Sequence, residues 1–257
     1  MKTVILCGGK GTRLNEETEF KPKPLINVGQ YPILWHIMKI YSTHGHNEFI
    51  LPLGYKGEMI KRFFMEHQWI SKDFSFELKS NLIVPHKSMG VENWKIHFVD
   101  TGLESMTALR LLNVRHLLED EEHFMLTYGD GVADININEL IKFHKDKGKI
   151  ATITGLSPHS RYGALDCEGH LVKSFREKPV LKDLINGGFM VFKKEIFNHI
   201  DGRNVMLVDE VLPKLAAIEE LVVYTHRGFW HCMDTYRDYL DLNKLWKENP
   251  KWKVWVD

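Results

Sequence analysis

Val4-Ile5-Leu6-Cys7-Gly8-Gly9-Lys10-Gly11-Thr12-Arg13-Leu14 opens the chain and decides how the rest of it is read. The apolar run before Gly8 has the character of a buried parallel strand. The glycines that follow let backbone N–H groups come close to a bulky anion. Arg13 then adds a planar, permanently charged fork suited to phosphate oxygens. Lys21-Pro22-Lys23-Pro24-Leu25 adds further positive charge downstream. A glycine-rich β–α turn without a ligand is the alternative, but such a turn has no structural need of Arg13 and Lys23 at its flanks. The stretch is not a Walker loop, because Thr12-Arg13 follow Gly11 where Lys-Ser/Thr is required. Nor is it a dinucleotide fingerprint, because Leu14 stands where a third small residue is needed. It predicts a nucleotide triphosphate site at the end of the first strand.

At 257 residues the chain is one large domain or one domain with an appendage. Its 34 basic and 34 acidic residues balance, which argues against nucleic acid or an anionic membrane as the main partner. Hydrophobic residues make up 44%, as in a folded globule, and no apolar run approaches bilayer length. Lys2 leads straight into the strand, with no signal-peptide h-region. Cys7, Cys167 and Cys232 lie far apart without CxxC spacing, so neither zinc nor a disulfide framework is indicated. A reduced, cytoplasmic setting is the expectation.

Strands and helices alternate through the first half. Val4–Leu6, Phe49–Leu53, Ile96–Val99 and Phe124–Tyr128 read as strands. Ile33–Tyr41 after Pro32, Glu58–Gln68 and Ala108–Leu118 read as helices. That order implies a mostly parallel sheet with helices on both faces. Ligands of such sheets bind beyond the carboxyl ends of the strands, so Gly8–Arg13 and Asp130 should share one crevice. Residues 69–95 break the pattern and read as irregular strands and loop. Short strands dominate from Ile150 to Phe192. The tail from Tyr236 reads as helical, and Trp246, Trp252 and Trp255 should pack on the body or on another subunit.

Asp130 follows a buried strand directly, between Gly129 and Gly131. A carboxylate there suits Mg²⁺, which takes one or two carboxylates plus phosphate oxygens; it equally suits an ordinary Gly-Asp-Gly turn. Asp234, in Gly228-Phe229-Trp230-His231-Cys232-Met233-Asp234-Thr235, is either a helix N-cap or a second metal ligand, and one residue can do both. Phe175-Arg176-Glu177-Lys178-Pro179 ends a strand and by itself reads as a solvated turn. Asn186-Gly187-Gly188 suits a sugar hydroxyl contact or a plain bulge. Arg161-Tyr162-Gly163-Ala164 is open in the same way. His36, His44, His46 and His67 stand at non-ligand spacings and read as structural or surface residues.

Taken in order, Gly-Gly-x-Gly-Thr-Arg-Leu, Lys-Pro-Lys-Pro, Gly-Tyr-Lys-Gly, Asp-Thr-Gly, Tyr-Gly-Asp-Gly, Arg-Tyr-Gly, Glu-Lys-Pro, Asn-Gly-Gly and Met-Asp-Thr resemble the sugar-1-phosphate nucleotidyltransferases over essentially the whole chain. Ile33–Met38, Gly54–Gly57 and Thr127–Asp134 are most similar to the glucose-1-phosphate cytidylyltransferase branch. The resemblance implies an α/β fold: a three-layer, Rossmann-like sandwich with a mixed, mostly parallel sheet and a small β-containing appendage. It implies a single domain over 1–257, with 1–135 mainly nucleotide-binding, 136–235 mainly acceptor-binding and 236–257 a helical tail. CTP would donate CMP to a phosphorylated acceptor, α-D-glucose 1-phosphate first, giving a CDP-linked product and pyrophosphate for surface polysaccharide. Leu6, Cys7, Gly8, Gly9, Gly11, Thr12, Arg13, Lys23, Thr107 and Arg110 would meet the nucleotide. Asp130 and Asp234 would hold Mg²⁺. Gly163, Glu177, Lys178 and Asn186 would meet the acceptor, with Arg13, Lys23 and Lys178 as the catalytic cations. A homo-oligomer is implied as well.

One departure bears on the acceptor. Met106-Thr107-Ala108-Leu109-Arg110 carries Ala and Leu where the glucose enzymes carry two glycines, and the side chains would fill space beside a ligand. Gln30-Tyr31-Pro32 and Val205–Pro213 depart as well. The alternative acceptor is therefore another sugar phosphate, or a non-sugar phosphate such as phosphoglutamine. An inactive nucleotide-binding regulatory module is the reading from another class, and the presence of Lys23, Asp130, Lys178 and Asp234 weighs against it.

Overall fold

The computed structural model describes residues 1–11, 14, 20–70, 73–86, 92–157, 162–177, 179 and 183–256. Thr12, Arg13, Arg161 and Lys178 lie outside the described residues.

Eight strands make the central sheet: β1 (Thr3–Leu6), β2 (Glu48–Leu53), β3 (Lys95–Asp100), β4 (His123–Tyr128), β5 (Ala151–Leu156), β6 (Ile185–Asn186), β7 (Met190–Lys193) and β8 (Leu221–His226). In space they run β3, β2, β1, β4, β7, β5, β8, with the short β6 beside the carboxyl end of β5. β3, β2, β1 and β4 pair in parallel, as do β5 and β8. β7 runs antiparallel to both β4 and β5, which makes the sheet mixed.

Every residue of β1 is buried, as expected of a strand covered on both faces. Successive side chains alternate between two apolar layers. Ile5, Leu51 and Met125 face α1 (Ile33–Thr43), while Val4, Leu6, Ile50 and Leu126 face Ala108 and Leu111 of α3 (Thr107–Asn113). α2 (Gly57–Ile70) sends Ile60 into the first layer, and α4 (Ile137–Lys147) adds Ile137, Leu140 and Ile141 to it. Leu215 of α5 (Leu212–Ala217) belongs to the second. The layers are therefore helix, sheet, helix. Asn136 caps α4 by accepting the Glu139 N–H, and Gly148 at φ 65° ends it in a left-handed turn.

The expected helix over 108–118 stops earlier, at Asn113, and tightens into a 3₁₀ turn over Arg115–Leu117. The irregular stretch contains a hairpin, Phe74–Glu77 against Leu82–Pro85, which stands out from the body with Phe76 and Leu82 exposed. In the tail, α6 (Tyr236–Glu248) is helical and residues 249–256 are not. Trp252 and Trp255 bury against α1, where the Trp252 indole N–H reaches His36 Nδ1 at 3.4 Å. The tryptophans thus find their cover on the chain's own body. Among the described residues no helix is long and apolar enough to cross a membrane.

Candidate active site

The carboxyl ends of β1 and β4 open onto a cavity of about 500 Å³, in the size range of small-molecule and cofactor sites. Leu6, Cys7, Gly8, Gly9, Gly11, Lys23, Thr107, Arg110, Asp130, Asn186 and Asp234 all line it.

The glycine turn is built for close approach. A Cβ added at Gly9 would meet nothing within 4 Å, so one face of the turn stays open. Gly11 sits at φ 66°, a conformation that favours glycine. Gly8 has a different reason: a Cβ there would run into the Arg110 guanidinium. The Gly8 carbonyl accepts from Tyr55 N–H at 3.2 Å and from Arg110 Nη2 at 2.9 Å.

Arg110 was expected among the nucleotide ligands. Its guanidinium is instead directed at protein oxygens, with 3% of the residue exposed. Nη1 donates to Leu53 O at 2.8 Å and Thr101 Oγ1 at 2.7 Å. Nη2 donates to Gly8 O and, at 3.2 Å, to Leu103 O. One planar fork thus ties the glycine turn to the ends of β2 and β3. Gly54 belongs to the same assembly, since a Cβ there would stand 2.6 Å from that fork and 2.7 Å from Gly8 O. Thr107 likewise turns inward: its hydroxyl accepts Leu207 N–H at 2.7 Å and anchors the segment that brings Met206 to the cavity.

Two carboxylates distant in sequence meet because a small ribbon joins their neighbours. Gly131–Ala133 pairs antiparallel with Trp230–Cys232, and Met233 N–H donates to Asp130 O at 2.9 Å. Asp130 and Asp234 are thereby set side by side. Thr235, not Asp234, caps α6: its hydroxyl accepts Asp238 N–H, and Asp238 returns the bond in a capping box. Asp234 therefore turns its carboxylate elsewhere. Lys23 Nζ lies 2.6 Å from Asp130 Oδ2 and 2.6 Å from Asp234 Oδ1. Pro22 and Pro24 fix the backbone at Lys23, which opens a 3₁₀ turn with Pro24 buried. Burial works against the Lys23 charge, but Asp130 and Asp234 outweigh it and hold the ammonium above its ordinary range. Cys232 is pushed up to about 12 by burial and by the surrounding Asp234, Asp130 and Asp238 charges, so its thiol stays protonated. Burial raises Cys7 in the same sense.

On the other wall, Asn186 donates from Nδ2 to Tyr128 OH at 3.3 Å and accepts Gly188 N–H at 3.0 Å, which fixes its amide. Trp230 Nε1 donates to Gly187 O at 2.8 Å. Gly163 and Glu177 are not brought to the cavity lining. They sit together at the Ala164–Glu168 and Leu171–Arg176 hairpin, where a Cβ on Gly163 would meet the Phe175 ring at 2.5 Å and Glu177 Oε2 at 3.3 Å. Thr12, Arg13 and Lys178 fall outside the described residues.

The expectation for Ala108 and Leu109 is corrected. Ala108 is fully buried in the second apolar layer, and neither residue contributes to the cavity lining. Thr107 and Arg110 line the cavity while Ala108 packs against the sheet, so the side chains that replace glycine lie off this lining. Sequence reasoning missed Tyr128, Met206 and Trp230, all on the lining. Tyr128 and Trp230 flank the singled-out aspartates and could have been found that way; Met206 carries no local signal.

Lys23, Asp130 and Asp234 line the same cavity as the glycine turn, which sets charged groups beside open backbone, a combination that suits phosphate and cation chemistry. A family model described as nucleotidyl transferase matches residues 2–249. The chain is 48% identical to a Bacillus subtilis protein described as a "probable glucose-1-phosphate cytidylyltransferase", over 99% of this chain and 100% of that one. It is 47% identical, with the same coverage, to a protein of Salmonella typhimurium described as glucose-1-phosphate cytidylyltransferase. Among solved structures it is similar to a UDP-glucose pyrophosphorylase, with a TM-score of 0.68, 14% identity, and 96% and 98% of the two chains covered. With a family match along almost its whole length and full-length relatives at 47–48% identity, the chain belongs to the nucleotidyl transferase family and is a nucleotidyltransferase.

Proposed function

We propose that the protein transfers CMP from CTP to α-D-glucose 1-phosphate, releasing pyrophosphate and forming CDP-glucose. The convergence of Lys23, Asp130 and Asp234 beside the glycine turn carries the transfer chemistry. The choice of CTP and of glucose 1-phosphate follows the names of the full-length relatives. The buried position of Ala108 removes the objection that the acceptor space is filled.

The attacking phosphate oxygen is already an anion at neutral pH, so no general base is required of the protein. Catalysis then consists of alignment and charge neutralisation. The glycine turn presents N–H groups to the phosphates, and the Arg110 fork holds the turn in that shape. Lys23 and Arg13 steady the departing pyrophosphate, and Lys178 with Asn186 aims the acceptor. Asp130 and Asp234 fit a divalent cation, Mg²⁺ in this reading. Their hard oxygens converge on one point, which a cation, the Lys23 ammonium, already occupies. Mg²⁺ held there would supply positive charge to the reacting phosphate. Exposed apolar side chains on the two hairpins, among them Phe76, Leu82, Leu165 and Phe175, support association into a homo-oligomer.

Pyrophosphate release tests the reading. The protein is offered CTP, UTP, GTP or dTTP with glucose 1-phosphate, and CTP with other sugar phosphates and with phosphoglutamine. Turnover highest with CTP and glucose 1-phosphate is expected. Turnover with another acceptor and none with glucose 1-phosphate would overturn the acceptor assignment.

A further inference from the structure

We propose that Lys23 is the resident counter-ion of the divalent-cation site, and that its ammonium must leave before the metal can enter. The inference rests on the reading of Asp130 and Asp234 as the metal-holding pair. The two carboxylates approach each other from Gly129–Gly131 and from the end of the Trp230–Cys232 strand. Their main chains are locked together by the ribbon and by the Met233-to-Asp130 hydrogen bond. Two like charges held that way repel unless a cation lies between them. Lys23 supplies it, at 2.6 Å from one oxygen of each. Its side chain is 12% exposed against 27% and 25% for the carboxylates, so the lysine is the more buried partner in each pair.

An ion such as Mg²⁺ binds oxygens at about 2.0–2.1 Å, and here it would have to take the place of the ammonium. Two cations cannot share that point, so binding is an exchange. The main chain of Lys23 is held by Pro22, buried Pro24 and the 3₁₀ turn, which confines the movement to a flexible four-carbon stem. The stem lies in the cavity that the glycine turn also lines, so a nucleotide's phosphate chain bound there would offer the displaced ammonium a new anion. Metal entry and phosphate binding are thereby coupled. Metal alone must displace an ion pair with nothing to receive the lysine, whereas with nucleotide present the lysine has a new partner. By linkage each ligand strengthens the other. A lysine that served only as a phosphate ligand would leave the metal's own affinity unaffected.

Mn²⁺ binding without nucleotide, followed by the paramagnetic resonance of the free ion or by calorimetry, tests this. The proteins are the parent, Lys23→Met, Lys23→Gln and each variant combined with Asp130→Asn, and melting curves check that all are folded. Lys23→Met and Lys23→Gln should each bind Mn²⁺ at least about tenfold more tightly than the parent, since a positive charge has left the site. Asp130→Asn should abolish that gain. Equal or weaker Mn²⁺ binding by both lysine variants overturns the counter-ion role; the carboxylate pair still stands as the metal site if Asp130→Asn weakens parent binding. If Asp130→Asn changes Mn²⁺ binding in no background, the metal assignment falls with it.

Discussion

Replacing Arg110 by Met tests whether the buried fork is a strut of the phosphate turn. Methionine fills similar space without donors. The guanidinium makes four hydrogen bonds, to Leu53 O, Thr101 Oγ1, Gly8 O and Leu103 O. Bonds to a charged donor contribute about 1.5–3 kcal/mol each, so a naive sum is far too large. Leu53 O keeps Thr101 N–H and the Thr101 hydroxyl, and Gly8 O keeps Tyr55 N–H. Leu103 O loses the partner described for it. The guanidinium makes no ion pair among the described residues, and burial lowers its pKa, so removing the charge also relieves a desolvation cost. The balance is a loss of about 3 kcal/mol, equivalent to about 6–12 °C in melting temperature for a chain of this size. Arg110→Lys, which offers a point charge in place of a fork, should fall between. Urea and thermal unfolding followed by tryptophan fluorescence give the stability, and initial rates of pyrophosphate release give KM for CTP. A Met variant that loses less than about 1 kcal/mol yet fails to bind CTP would refute the strut, because the guanidinium would then serve the ligand directly.

Three further outcomes are expected. Burial lowers His36 and His144 to about 4 from the ordinary 6.5, and their neutral forms contribute stability fully above pH 6.5. That contribution should be lost as pH falls from about 6.5 to about 4, by about 3 kcal/mol for each histidine, and urea midpoints that stay level over that window would contradict it. Gly29 lies at φ 65° with the Trp246 indole against it, so Gly29→Ala should destabilise by about 2–4 kcal/mol; a melting temperature unchanged from the parent would show that the tail gives way freely. Asp130→Asn keeps the shape and removes one charge, so kcat should fall by about 10²–10³ with the melting temperature little changed, and activity near that of the parent would exclude Asp130 from the chemistry.

The layout was legible from the amino-acid order alone. Buried β1, the glycine turn after it and the alternation of strands and helices are local facts, because a period of two or of 3.6 and a glycine after an apolar run report on the chain's own neighbourhood. Asp130 was visible for the same reason, directly after a buried strand. Where side chains separated by scores of residues end up depends on how the elements pack. Only the ribbon between Gly131–Ala133 and Trp230–Cys232 brings Asp234 to Asp130, and only the resulting gap draws in Lys23. Arg110 was legible as a cation near the nucleotide, but its three-segment grip depends on β2 and β3 ending beside Gly8. Ala108 was misread because its neighbours in sequence face the cavity while its own Cβ faces the sheet, a rotation that packing sets and composition does not reveal.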